Sequence, residues 1–179
     1  MASITFITGG CRSGKSSKAE ELCLNSPPPH HYLATATAFD GEMSKRIEAH
    51  KIQRAAAHWN NVEEPLEILE KIKDFKEGSV LLECVTLWIS NLMWQSEQDN
   101  AEINESLIIE KTEALIEAMK VSPCHFFIVS NETGLGIMPM NAQARLFGDL
   151  AGRCNQLLAK AADRAIFMVS GLPMELKNV

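Results

Sequence analysis

The 179-residue sequence predicts an α/β fold of the P-loop NTPase type, a mostly parallel central sheet with helices on both faces. Two observations carry this. Short β-branched apolar runs alternate with amphipathic, helix-period segments along the chain, and the first run leads straight into a glycine-rich loop followed by a helix-prone stretch. The length suits one domain with a substantial core, taken here as residues 1–179.

Ile4 to Thr8 is the first buried-strand candidate. It runs into Gly9-Gly10-Cys11-Arg12-Ser13-Gly14-Lys15-Ser16, which meets the pattern G-x-x-x-x-G-K-[ST] in the strand-to-helix setting that the pattern requires. Backbone N–H groups of such a loop wrap phosphate oxygens, and the helix N-terminus adds a favourable dipole. In this pattern Lys15 neutralises the β- and γ-phosphates, and the Ser16 hydroxyl is a ligand for Mg²⁺. The first helix stops near Asn25-Ser26-Pro27-Pro28-Pro29, because prolines cannot continue it. His31 to Thr35 reads as a second strand ending in Ala36-Thr37-Ala38, a small-residue loop on the ligand side of a parallel sheet.

Asp40 to about Ala57 is helical in pattern, with Asp40 as N-cap and Met43 and Ile47 on one face. Arg46, His50 and Arg54 recur at i, i+4, i+8, so one imidazole stands between two guanidiniums on a single stripe. Neighbouring cations favour neutral imidazole, a competent nucleophile near pH 7, and also hold incoming phosphates. His30, His31, His58 and His125 lack such flanks and read as structural. The stretch His58 to Pro65 is polar apart from Trp59 and Val62, and Leu66 to Phe75 is a further amphipathic helix closed by Gly78.

Val80 to Cys84 is another buried-strand candidate, with Glu83 near its C-terminal end as a longer version of the Walker B aspartate that reaches Mg²⁺. Leu87 to Trp94 reads as a buried helix, Gln95 to Glu105 as a polar connection or an irregular helix end, and Leu107 to Met119 as a long amphipathic helix. His125 to Ser130 is the next strand, leading into Asn131 to Pro139 with Glu132, Gly134 and Gly136. Glu132 is a second candidate for metal or hydroxyl positioning. A helix over Asn141 to Ala162 follows, then a strand at Ala165 to Val169 and a closing turn at Ser170-Gly171-Leu172-Pro173.

The formal net charge of -6 argues against a general nucleic-acid footprint and favours small-molecule partners. Five widely spaced cysteines without a C-x-x-C pair speak against a disulfide framework or a zinc site. With no basic leader and no apolar run of membrane-spanning length, the expected setting is soluble and cytoplasmic. On these features alone the chain is a nucleotide-dependent transferase, another P-loop small-molecule kinase with a structural His50, or a nucleotide-binding switch without transferase activity.

The whole chain resembles the bifunctional adenosylcobinamide kinase and adenosylcobinamide-phosphate guanylyltransferases of cobalamin biosynthesis. The likeness is carried by Thr8 to Ser16, Tyr32 to Ala36, Glu42-Met43 with Arg46 to Lys51, and Trp59 with Glu63-Glu64-Pro65. It continues through Leu82 to Trp88 with Asn91-Leu92, Ser130 to Pro139, Arg145 to Phe147 with Asp149, Ala151 to Arg153 with Asn155-Gln156, and Ala162-Asp163. The resemblance implies that His50 is the residue guanylylated by GTP, and that Lys51, Ile52, Gln53, Arg54 and Glu63 lie against the guanine nucleotide. The phosphate loop, Ala34, Thr35, Ala36 and Glu83 would complete that site. It further implies ATP or GTP as phosphoryl donor, adenosylcobinamide and its phosphate as acceptors, and a homotrimer. Ala55, Asn61 and Gly148 depart from the family's usual Pro, Thr and Arg, and the last change removes a possible phosphate or corrinoid contact.

Overall fold

In a computed structural model the described residues are 3–37, 41, 45, 48, 51–52 and 57–178. Seven strands form one sheet in the order β3-β2-β4-β5-β1-β6-β7. They are β1 (Ser3–Gly9), β2 (His30–Ala34), β3 (Trp59–Glu63), β4 (Ser79–Glu83), β5 (His125–Asn131), β6 (Arg164–Val169) and β7 (Leu172–Asn178). All neighbouring pairs are parallel except β6 with β7. The helices lying wholly within the described residues are α1 (Lys15–Leu24), α2 (Ile68–Asp74), α3 (Val85–Gln98), α4 (Glu105–Val121) and α5 (Ala142–Ala161).

The central strands read as continuous apolar runs because both faces of the sheet are covered, and their side chains divide with period two. Phe6, Val80, Leu82, Phe126 and Ile128 point into a core shared with Ile68, Ile72, Trp88, Ile89, Ile108, Leu115 and Leu158 from α2 to α5. Ile7, Leu81, Phe127, Val129 and Ile166 point the other way, onto Ala19 and Cys23 of α1. Helix α3 buries Val85, Trp88, Ile89 and Leu92, a 3.6-residue stripe, and Trp88 Nε1 donates to the Leu66 carbonyl at 2.8 Å. Trp88→Phe leaves that acceptor without its donor; a loss of about 1–2 kcal/mol is expected, read from the urea midpoint.

Three boundaries differ from the sequence reading. Trp59–Glu63, read as a polar segment, is an edge strand that among the described residues pairs with β2 alone, so its composition carries little strand signal. Trp59 nonetheless seals the sheet by meeting Tyr32 edge-on at 5.5 Å. The closing turn proves to be the tip of a hairpin, with β7 antiparallel and mostly exposed. Helix α3 runs past Trp94 to Gln98, into the segment read as a connection or an irregular helix end. In the Asp40 to Ala57 segment, Gly41, Lys45, Glu48, Lys51 and Ile52 are helical, whereas Asp40, Met43, Ile47 and Ala55 lie outside the described residues. No helix among the described residues is long and apolar enough to cross a membrane.

This strand order places the ligand crevice. The chain leaves β1 through α1 toward β2 on one side of the sheet, and leaves β5 through α5 toward β6 on the other. Connections that diverge from adjacent parallel strands open a cleft at their C-terminal ends.

Candidate nucleotide site

The phosphate loop spans the turn between β1 and α1. Gly9 sits at φ +152, where a Cβ would lie 2.5 Å from the Met168 carbonyl of β6 and 2.8 Å from Ser13 Oγ, so no larger residue fits. Within the loop, Ser13 N donates to Gly10 O at 3.2 Å, and Lys18 N donates to Gly14 O at 3.0 Å as α1 begins. The hairpin tip braces it from outside, Gly171 N donating to Ser13 O at 2.9 Å. Cys11 and Arg12 are exposed at the crest, while Ser13 and Lys15 are buried.

Lys15 Nζ donates to the Gly10 carbonyl at 2.8 Å, folding the side chain back over the loop. Burial pulls its pKa below the ordinary lysine value, opposed by the nearby Glu83 carboxylate. Ser16 Oγ donates to Glu83 Oε1 at 2.8 Å. The hydroxyl and carboxylate singled out as metal ligands thus come together across β5, the one strand between β1 and β4.

Fit to the expected ligands follows from the donors present. Thr8 Oγ1 and Ser13 Oγ are buried without a hydrogen-bond partner, and a phosphate oxygen is a suitable acceptor for such hydroxyls. Ser16 and Glu83 offer hard oxygen donors, the type Mg²⁺ prefers. No group of three His, Cys, Asp or Glu side chains that could hold a metal ion occurs among the described residues.

The remaining sequence-nominated residues divide. Ala34 ends β2 opposite Glu83 of β4, with Ala36 just beyond it, whereas Thr35 is fully buried, its hydroxyl engaged by Cys84. Lys51 Nζ pairs with Glu63 Oε1 at 2.6 Å, joining two nominated nucleotide contacts at the rim beyond β3, and Ile52 beside them is exposed. Arg46, His50, Gln53 and Arg54 lie outside the described residues. Glu132 is tied to its own loop: its N–H donates to Gly9 O at 3.0 Å and its carboxylate accepts from Gly134 N at 2.8 Å.

Sequence reasoning did not assign the polar chain that holds this edge of the sheet. Ser130 Oγ donates to Asn155 Oδ1 at 2.6 Å, and Asn155 Nδ2 donates to Asn131 O at 3.0 Å. Asn131 N donates in turn to Thr86 Oγ1 at 2.7 Å, which lies 3.1 Å from Cys84 Sγ. Burial, reinforced by Glu83, pushes the Cys84 thiol up and keeps it protonated. Helices α3 and α5 are thereby pinned to the ends of β4 and β5. Thr86, Ser130 and Asn155 all fall in the family-like segments, yet as single small polar residues they announce no chemistry.

Comparison with known proteins agrees with this geometry. The sequence pattern described as cobinamide kinase / cobinamide phosphate guanyltransferase matches residues 5–176. A bifunctional adenosylcobalamin biosynthesis protein of Pseudomonas aeruginosa is 40% identical over 175 residues, covering 97% of this chain and 96% of that protein. Its counterpart in Salmonella typhimurium is 39% identical over 180 residues, covering 96% and 98%. Among solved structures, an ATPase from a bacterial type III secretion system superposes with a TM-score of 0.55 at 12% identity, covering 97% of this chain and 56% of the ATPase. That last likeness concerns the P-loop α/β fold alone. With a family match over nearly the whole chain and relatives near 40% identity, the chain belongs to the cobinamide kinase / cobinamide phosphate guanyltransferase family.

Proposed function

We propose that this chain phosphorylates adenosylcobinamide, with ATP or GTP as donor, and then transfers GMP from GTP to adenosylcobinamide phosphate, giving adenosylcobinamide-GDP and pyrophosphate. The observation that carries the reading is the meeting of Ser16 with Glu83 beneath a phosphate loop, in a chain of this family.

In the first reaction the aminopropanol hydroxyl oxygen attacks the γ-phosphorus, the bond to the β-phosphate oxygen breaks, and the nucleoside diphosphate leaves as the hydroxyl proton is released. Lys15 and the loop N–H groups hold the triphosphate and stabilise charge on the transferring group. Mg²⁺, when bound through Ser16 and Glu83, supplies neutralising charge on the phosphate oxygens. In the second reaction a nitrogen of neutral His50 attacks the α-phosphorus and pyrophosphate leaves. A phosphate oxygen of adenosylcobinamide phosphate then attacks the same phosphorus, breaks the P–N bond and restores the imidazole. Arg46 and Arg54 serve as phosphate clamps, and Lys51, Ile52, Gln53 and Glu63 line the guanine side. The enzyme works in the cytoplasm as a homotrimer, a state that sedimentation equilibrium checks directly.

GTP labelled at the α-phosphate tests the covalent step. Wild-type protein is expected to acquire an acid-labile, alkali-stable label that adenosylcobinamide phosphate removes into product, and His50→Ala to acquire none. An unlabelled wild type, or equal label on the variant, overturns the reading of His50.

A further inference from the structure

A single hydroxyl grips the residue that follows Glu83 from both ends. Thr35 Oγ1 accepts from Cys84 N at 2.9 Å and donates to Cys84 O at 2.8 Å, while Thr35 N donates to Glu83 O at 2.8 Å. The parallel register between β2 and β4 ends at Ala34 with Glu83, so these bonds continue the pairing where the ladder stops. Thr35 is itself held: its carbonyl accepts from Asn91 Nδ2 at 2.8 Å, and the same amide nitrogen reaches Pro65 O at 3.0 Å. On the far side of Cys84, the thiol meets Thr86 Oγ1 at 3.1 Å. The backbone immediately beyond the Glu83 carboxylate is therefore anchored through the side chain of Thr35 to β2 and α3, in a fully buried setting where such bonds are strong and their loss is costly.

Packing alone does not account for this choice of residue. Valine has the same shape and would fill the space, but it would leave the Cys84 N–H without its acceptor, while Cys84 O would keep only its bonds from Leu87 N and Trp88 N at 3.0 and 3.1 Å. What the hydroxyl adds is a fixed direction for the chain as it leaves Glu83, and hence for the carboxylate that meets Ser16 at 2.8 Å.

We propose that Thr35 is a positioning residue for the nucleotide-bound divalent cation: its hydroxyl orients the backbone after Glu83 and so holds the carboxylate at the Ser16 hydroxyl. This rests on the reading that Ser16 and Glu83 receive the cation. Thr35 then acts from outside the nucleotide site, although its place beside Ala34 and Ala36 suggested a direct contact.

The test measures GTP dissociation constants by calorimetry with and without Mg²⁺, the ratio of the two being the metal coupling. Wild type, Thr35→Val, Thr35→Ser, Glu83→Gln and the Thr35→Val/Glu83→Gln double variant are compared. Thr35→Val is expected to reduce the coupling about 10- to 100-fold, the range for groups that orient metal ligands, with metal-free affinity unchanged. Thr35→Ser, which keeps the hydroxyl, is expected to restore it. In the Glu83→Gln background the valine is expected to add nothing, because both changes act through one carboxylate. Additive effects in the double variant, an equal loss of affinity without Mg²⁺, or wild-type coupling in Thr35→Val overturn the proposal. Unchanged coupling in Glu83→Gln instead overturns the metal-site reading and the proposal with it, so the two failures are distinct. Should Thr35→Val not fold, Thr35→Ala, which also lacks the hydroxyl, enters the same cycle under the same criteria.

Discussion

Replacing Lys15 by methionine is expected to lower kcat/KM about 10²- to 10³-fold in both the kinase and the guanylyltransferase reactions, the effect of removing one preorganised charged donor. The two reactions break different bonds of the triphosphate but share one loop to hold it. Thermal stability is expected to stay level or rise, because a buried ammonium with a depressed pKa carries a desolvation cost that methionine lacks. A large fall in activity with an undiminished Tm therefore separates electrostatic stabilisation from damage to the fold. The depressed pKa also sets a pH dependence. In the free protein the Lys15 cation is lost as pH rises, beginning below the ordinary lysine range, whereas a bound triphosphate favours the cation and raises that pKa. GTP affinity is thus expected to fall as pH rises through the free-protein value and to level off once the complex also loses its proton. A flat affinity profile into the lysine range would contradict this assignment.

Gly9→Ala is expected to destabilise the fold by about 3 kcal/mol and to abolish measurable GTP binding. The new Cβ would press on the Met168 carbonyl at 2.5 Å, part of the β6 backbone and unable to rotate away, and φ +152 is a conformation alanine rarely adopts. Gly10→Ala is the control: a Cβ there meets nothing within 4 Å, so stability is expected to change by less than about 0.5 kcal/mol. Urea midpoints for both variants, with calorimetry against GTP, check the pair. Equal stabilities would show that the β1–β6 approach does not constrain the loop.

The parts of the site that could be read from the sequence are those where chemistry and spacing coincide in a few adjacent residues. Gly9 to Ser16 declares itself because loop, Lys and Ser occupy consecutive positions after a buried strand. Glu83 was legible as a carboxylate ending an apolar run, since burial on both faces leaves no polar residue earlier in β4 after Ser79. The place of the Thr35 side chain was not legible: the family resemblance nominated it together with Ala34 and Ala36, whereas its burial against Cys84 depends on the pairing of β2 with β4. Strands β3 and β7 escaped notice because an edge strand needs neither face nor both rows of backbone groups buried, so its composition is free to resemble a loop.

The sequence by itself determined the fold class, the phosphate loop and the family, because apolar periodicity, glycine placement and a Lys-Ser pair are local properties that survive without coordinates. Only the tertiary structure decided that Ser16 and Glu83 share a hydrogen bond, that the hairpin tip at Gly171 braces Ser13, and that the Thr35 hydroxyl bonds to the Cys84 backbone. These contacts join residues up to 158 positions apart, as with Ser13 and Gly171, and depend on which strands are neighbours in the sheet. Strand order is set by the packing of whole helices across both faces, a collective property that no single motif encodes.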